Sequence, residues 1–174
     1  MSDLNRRVVM TGFGAVTPLG NSLGEYWDGV RSGRSGAGPI TYFDSSDYTT
    51  QIAAEVKDFD PTVRLDRKEA RRMDPFCQFG TYAALEALEN SGLEINDDNA
   101  ERIGVIIGSG IGGLNTIENQ HRILQKGGPR RVSPFMIPML IADMASGLTS
   151  IITGAKGPNY ATVSACASSA HAIG

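Results

Sequence analysis

The apolar run at residues 102–110, RIGVIIGSG, constrains the fold of this chain more than any other feature. Polar residues do not alternate with apolar ones along it, which is typical of a central parallel strand covered on both faces. The chain has 174 residues, enough for one domain with a hydrophobic core. The run therefore predicts a buried sheet that must be enclosed by helices.

Helix-capping patterns and further strand-like segments surround this run. The capping patterns are Ser22 with Glu25, Asp66 with Glu69, and Asp74 with Pro75. Further strands are predicted over 6–12, 50–56 and 160–165, and further helices over 114–125 and 138–153. In the helix that Asp74 begins and Gly92 ends, the predicted apolar stripe is Phe76, Phe79, Ala83, Leu85 and Leu88. This alternation predicts an α/β fold with a largely parallel sheet.

Composition excludes several classes of protein. The net charge of −3 argues against general nucleic-acid binding, and no apolar run approaches the roughly 20 residues that cross a bilayer. Two cysteines do not make a disulfide framework, which favours a cytoplasmic protein. The two histidines and two cysteines have no metal-ligand spacing. No metal or cofactor is therefore expected.

A basic segment, Arg64–Arg72, stands out in this acidic chain. It carries five basic and two acidic residues. A solvated helix face is the ordinary interpretation of such a cluster. Its concentration within an acidic protein favours a surface that binds an anionic partner.

Cys166 lies where the strand-like segment 160–165 gives way to the small residues of ACASSA. A tight turn from a strand into a helix would place this cysteine near the unpaired backbone N–H groups of a helix start. Such a position favours the thiolate, and the same N–H groups can hold an oxyanion when the sulfur attacks a thioester carbonyl. A buried, unreactive cysteine is the alternative interpretation.

The glycine-rich segment 108–114, GSGIGGL, invites a comparison with dinucleotide-binding loops. Its glycine spacing differs from G-x-G-x-x-G, and the acidic residue expected about 20 positions later is missing. A nucleotide site is therefore not predicted here.

Several segments together, in order, resemble the amino-terminal part of the β-ketoacyl-acyl-carrier-protein synthases, and the type II enzymes most closely. These segments are RRVVMTGFGAVTPLGN, FDSSDYTTQIAAEVKDFD, RKEARRMDPFCQFG, RIGVIIGSGIGGL, GGPRRVSPFMIP and SACASSAHAIG. The resemblance implies a thiolase-like layered α/β fold, with residues 1–174 as its amino-terminal half. It also implies that the nucleophile helix continues beyond these residues into a carboxy-terminal half.

The resemblance also implies the chemistry and the site residues. Cys166 would take an acyl chain from acyl carrier protein as a thioester, and decarboxylation of malonyl-acyl carrier protein would supply the carbanion that attacks it. The matching residues are Lys68, Arg71, Arg72, Arg130 and Arg131 for carrier docking, with Arg130 and Arg131 acting across a homodimer, and Ile111, Phe135 and Met136 for the acyl pocket.

In this family two histidines and a lysine of the other half complete the active site. His121 and His171 match neither of those histidines. His171 is five residues from Cys166, which on a helix turns it about 140° away, so a core or helix-packing role is expected for it. His121 is expected on an amphipathic surface helix. Residues 1–174 expressed alone are expected to aggregate and to lack condensing activity.

Other interpretations remain open at this point. A type I synthase or a polyketide ketosynthase uses the same nucleophile, and GGPRRVSPF favours type II. A chain-length factor, the non-catalytic partner of a ketosynthase, lacks the cysteine. A truncated product that serves as a dimerisation module is the remaining alternative.

Overall fold

The computed structural model describes residues 7–174 as helices packed around short strands. The helices are α1 Leu23–Arg31, α2 Arg67–Ala70, α3 Pro75–Ser91, α4 Leu114–Gly127, α5 Met136–Leu140, α6 Met144–Thr153 and α7 Ser168–Ile173. The strands are β1 Gly38–Pro39, β2 Ile52–Ala53, β3 Val105–Gly108 and β4 Asn159–Thr162. No helix within 7–174 is both long and apolar enough to cross a membrane.

The sheet that carries the site pairs β3 with β4 in parallel, from Val105 opposite Asn159 to Gly108 opposite Thr162. This confirms a parallel strand within 102–110 but not the central, doubly covered position predicted for it. Among the described residues β3 pairs with β4 alone, and Ile106 is 37% exposed. β1 and β2 form a separate antiparallel pair, so the strand predicted over 50–56 shrinks to two residues. β4 likewise covers 159–162 rather than 160–165.

The three predicted helix caps are present. Ser22 accepts a hydrogen bond from the Glu25 amide at 3.2 Å, and Asp66 accepts one from the Lys68 amide at 2.7 Å. Asp74 caps α3, which ends at Gly92 with a φ of 67°, the left-handed region that glycine enters without a side-chain clash. Local capping chemistry therefore set these helix boundaries.

The core lies where α3 and α6 pack together beside β3. Thr81 and Thr149 are both fully buried and share a hydrogen bond of 2.9 Å across this contact. The predicted apolar stripe of α3 lies at the margin of this core, with Phe76 and Leu85 packed against the buried cluster. The buried residues of α3 are Cys77, Thr81, Tyr82 and Glu86, while the five residues of the stripe are half-buried. Of the buried residues, Thr81 is the one whose hydrogen bond reaches α6, whereas Glu86 binds backbone amides before and at the start of α1.

The strand predicted over 6–12 is absent from its described part, 7–12. Val8 is 92% exposed, so it has no neighbouring strand to cover it. The backbone after it is bound by α3 side chains instead: the Phe13 amide donates to Asn90 and the Ala15 amide to Glu86. Glu86 also accepts from the Leu23 amide, so a single carboxylate fastens this segment and the start of α1 to α3.

The single helix predicted over 138–153 is divided into α5 and α6. The Leu140 carbonyl accepts a hydrogen bond from the Gly113 amide at 2.8 Å, and Ile141 then takes an extended conformation. A side chain at Gly112 would collide with this same Leu140 carbonyl. The loop after β3 therefore packs against the break between the two helices.

Candidate active site

Cys166 lies in a turn of 3-10 helix, Ala165–Ala167, between β4 and α7. Its side chain is exposed. The predicted strand-to-helix junction is confirmed, but Cys166 precedes the first turn of α7 rather than lying within it. The sulfur is therefore presented on a tight turn that projects from the end of the parallel sheet.

The turn contains an unusual backbone conformation, which hydrogen bonds of nearby side-chain hydroxyls stabilise. Ala165 has a φ of 50°, which residues other than glycine rarely adopt. The buried Ser168 hydroxyl donates to the Ala165 carbonyl at 2.8 Å and accepts from the Ser164 amide at 2.9 Å. The Thr162 hydroxyl donates to the Ser168 carbonyl at 2.7 Å. These bonds fix the strained residue immediately before Cys166.

Two amides beside Cys166 are used inside the turn. The Ala167 N–H donates to the Ser164 carbonyl at 3.0 Å, and the Ser168 N–H donates to the Ala165 carbonyl. Neither points outward to hold an oxyanion in this conformation. Fewer backbone N–H groups are therefore available to hold an oxyanion than the sequence predicts, because these two are hydrogen-bonded within the turn.

Glycines at the end of β3 allow the backbone to lie directly against this turn. A side chain at Gly108 would collide with the Ser168 carbonyl, and one at Gly110 would lie 3.3 Å from the Ala165 carbonyl oxygen. The small residues around Cys166 predict a close approach of other groups, and the backbone of Ser168 does lie close to that of Gly108. The hydrogen-bonding role of Ser168 was not predicted, although its partners Ala165 and Ser164 lie only three and four positions away, because it depends on the conformation of the turn.

The core position predicted for His171 is wrong, because this side chain is exposed. Its Nδ1 forms a hydrogen bond of 2.7 Å with the Ser164 hydroxyl, across the turn that carries Cys166. His121 lies exposed on α4, as predicted for a surface helix.

Cys77 has the opposite environment to Cys166. It is 0% exposed, in the core with Leu65, Met73 and Ala145. Burial raises the pKa of the Cys77 thiol to about 12, with the charge of Asp74 as a smaller cause. Cys77 therefore stays a neutral thiol at physiological pH, and Cys166 is the accessible sulfur of the pair.

The residues expected in an acyl pocket lie at the two ends of α5. Ile111 is 68% exposed in the loop after β3, which packs against the C-terminal end of α5. Phe135 and Met136 begin this helix. Since α5 has five residues, its ends are about 7.5 Å apart. The structure gives no direct contact among the three side chains, so it does not bring them together as a formed pocket.

The basic residues of α2 and the turn after it face solvent. Lys68, Arg71 and Arg72 are exposed, and none of them forms an ion pair with another residue of 7–174. The Arg72 guanidinium carbon lies 5.0 Å from the centre of the Phe135 ring. This cation–π contact joins the basic segment to the edge of the expected acyl pocket.

Arg64 differs from the other basic residues of this segment. It forms an ion pair with Glu89 and stacks over Tyr82 at 5.2 Å. The hydrogen bond that Arg64 donates to the Glu89 carboxylate raises the pKa of the Arg64 guanidinium. Arg64 therefore has an internal role in attaching this segment to α3.

Arg130 and Arg131 lie exposed in a turn of 3-10 helix, Pro129–Arg131, that follows α4. Neither forms an ion pair within the described residues. The next segment is anchored by the Ser133 amide, which donates to the Gln120 side chain at 2.8 Å. It leads along the chain to Phe135, whose ring lies against Arg72 of the other basic group.

Comparison with known proteins gives a consistent family. Residues 5–174 match the model of the "Beta-ketoacyl synthase, N-terminal domain". The 3-oxoacyl-(acyl-carrier-protein) synthase 2 of Synechocystis sp. is 59% identical over 175 residues, covering 100% of this chain and 42% of the relative. The enzyme of the same name from Coxiella burnetii is 53% identical, covering 97% of this chain and 41% of its own length. The chain thus spans about two fifths of these relatives.

A solved structure shows the same fold. The structure titled "The ishigamide ketosynthase/chain length factor" superposes with a TM-score of 0.76 at 29% identity, covering 91% of this chain and 40% of that one. The predicted thiolase-like α/β fold is confirmed by this likeness. Together with the family model, these relatives show that the chain belongs to the β-ketoacyl synthase family and corresponds to its N-terminal domain.

Proposed function

We propose that this chain is the amino-terminal, nucleophile-bearing half of a 3-oxoacyl-acyl-carrier-protein synthase that elongates fatty acyl chains. The observation that carries the proposal is the placement of Cys166 on an exposed, strained turn at the end of β4. The names of the relatives at 59% and 53% identity support the substrate class. We place the reaction in the cytoplasm, where a thiol stays reduced.

The reaction begins with acyl transfer. The Cys166 thiolate attacks the thioester carbonyl of an acyl carrier protein, the carrier's thiol leaves with a proton, and an acyl-cysteine remains. Malonyl-acyl carrier protein then loses carbon dioxide, and the resulting carbanion attacks the acyl-cysteine. Expulsion of the Cys166 thiolate leaves a 3-oxoacyl chain, two carbons longer, on the carrier.

The half that follows in this family would supply the two histidines and the lysine that assist decarboxylation. The residues described here hold the nucleophile and border the acyl chain. Ile111, Phe135 and Met136 would line the acyl pocket. Ile111 belongs to the loop that packs against the C-terminal end of α5, and Phe135 and Met136 begin this helix.

Acyl carrier protein is the proposed partner. Its acidic surface would meet Lys68, Arg71 and Arg72, which are exposed and have no acidic partner within 7–174. Arg130 and Arg131 would form a second patch that acts across a homodimer. Unpaired basic residues attract an acidic protein over a distance, so their main effect is on the rate of encounter.

A polyketide ketosynthase is the second candidate, favoured by the 29% identity to the ishigamide protein. The higher identity to the fatty-acid enzymes supports the first candidate instead. A chain-length factor is not favoured, since Cys166 is present. Elongation of saturated acyl-carrier substrates, compared with polyketide intermediates, would separate the two enzymes.

Two cysteine variants test the nucleophile. In the protein as its gene encodes it, Cys166→Ala should abolish elongation and also labelling by cerulenin, a thiol-reactive acyl mimic. Cys77→Ala is the matched control. It should keep both, because Cys77 is buried and its pKa of about 12 leaves it a neutral thiol near pH 8. Elongation by Cys166→Ala, or labelling that maps to Cys77 in the unaltered protein, would contradict the proposal.

A further inference from the structure

The turn that carries Cys166 is held by different contacts on its two sides. On the inner side, the backbone of β3 lies against it at Gly108 and Gly110, and the buried Ser168 hydroxyl joins the Ser164 amide to the Ala165 carbonyl. On the outer side, the turn is held by the hydrogen bond between Ser164 Oγ and His171 Nδ1. Both of these residues belong to this chain, and the reaction described above uses neither.

This outer hydrogen bond closes a loop around the nucleophile. Ser164 directly precedes the strained Ala165, and His171 lies in the last turn of α7. The bond of 2.7 Å therefore ties the start of the turn to the helix that follows it. A positive φ at a residue with a side chain costs about 1–3 kcal/mol and persists where its surroundings enforce it. Without this hydrogen bond, the backbone of Ala165 could relax to a negative φ, and the side chain of Cys166 would then point in a different direction.

We propose that His171 is a positioning residue for Cys166. Through the Ser164 hydroxyl it holds the turn in the conformation that presents the sulfur, and it takes no proton from the thiol. This proposal rests on the proposed function of Cys166 as the nucleophile. It assigns a role to a histidine that lies outside the set implied by the family resemblance.

The test measures the thiol directly as well as the reaction. Iodoacetamide alkylation of Cys166, followed by peptide mass spectrometry, should be about five-fold slower in His171→Ala, the effect of losing one hydrogen bond. Elongation by the same variant should lose a similar factor in kcat, with KM for the carrier-bound substrate unchanged. Ser164→Ala removes the same bond from the other side and should give the same result.

Three further variants separate positioning from a general loss of structure. His171→Asn keeps a polar atom near Nδ1 and should recover most of the alkylation rate. The double variant Ser164→Ala/His171→Ala should be no slower than either single one, because all three lack the same bond. Ser169→Ala removes an exposed hydroxyl from the same helix and should behave as the unaltered protein.

Other results would overturn the proposal. Alkylation of both single variants at the unaltered rate would show that the bond does not position the sulfur. Effects that multiply in the double variant would show that the two residues act separately. The alkylation result stands even if the unaltered protein does not elongate acyl chains, so failure of the proposed function is distinguished from failure of this inference.

Discussion

Asp74 uses its two carboxylate oxygens at two different helices. Oδ1 accepts from the Phe76 amide at 3.4 Å in the first turn of α3. Oδ2 accepts from both the amide and the hydroxyl of Thr116, at 2.9 and 2.7 Å, in the first turn of α4. The side chain is 2% exposed. A buried negative charge is thus stabilised by the N-terminal ends of two helices at once.

Replacing this carboxylate should destabilise the protein strongly. Asp74→Ala leaves the Thr116 donors buried without a partner and removes a cap, which together cost about 2–4 kcal/mol in the free energy of unfolding. The matched control is Asp66→Ala, which removes an exposed cap from α2 and should cost about 1 kcal/mol. Denaturant unfolding measures both, and equal losses would contradict the double role of Asp74.

The sequence could predict half of this arrangement. Asp74 before Pro75 is a local signal for a helix start, and it was interpreted correctly. The bond to Thr116 joins residues 42 positions apart. A contact of that span follows from tertiary packing, which no local pattern encodes. The bond between Ser164 and His171 spans seven positions, but it depends on the positive φ of Ala165, which the sequence pattern did not predict.

At the scale of elements, helices were easier to predict than strands. The starts of α1, α2 and α3 depend on side chains within three residues of the cap. A strand depends on a neighbour that is distant in the chain. The segment 7–12 has strand-like composition but no strand beside it, and the helix predicted over 138–153 is interrupted where the Gly113 amide takes the Leu140 carbonyl.

The charge of α2 can be tested without disturbing the aromatic contact of Arg72. Lys68→Glu/Arg71→Glu should raise KM for the carrier-bound substrate about ten-fold at low salt and change kcat little. Two positive charges become negative, so this surface would repel an acidic carrier instead of attracting it. The increase should shrink as salt is added.

The matched control for α2 reverses two exposed arginines elsewhere, Arg31→Glu/Arg102→Glu. It changes the net charge by the same amount and should leave KM close to that of the unaltered protein. Equal increases in both double variants would indicate an effect of total charge, and no increase in either would argue against carrier docking on α2.

At the scale of the whole molecule, the exposed area is too large for an independent globular unit. A folded monomer of 18.5 kDa exposes about 8,200 Å², whereas this chain exposes 12080 Å². Ile151 and Ile173 are 76% and 81% exposed. An apolar surface of this extent is typical of a face that other protein covers.

Residues 1–174 expressed alone should therefore self-associate. We expect concentration-dependent oligomers in analytical ultracentrifugation and strong binding of a hydrophobic dye. Ile151→Glu/Ile173→Glu should reduce both effects, since these side chains are among the most exposed apolar ones. A monodisperse monomer that binds no dye would contradict the expectation.

The difference in exposure between Cys77 and Cys166 also determines which of them peroxide oxidises. Cys77 is sealed in the core, so an oxidant reaches Cys166 first and converts it to a sulfenic acid. The proposed acyl transfer would stop while the fold stays intact, because no packed side chain has changed. A reductant that restores this one thiol would then restore the proposed nucleophile, with no refolding required.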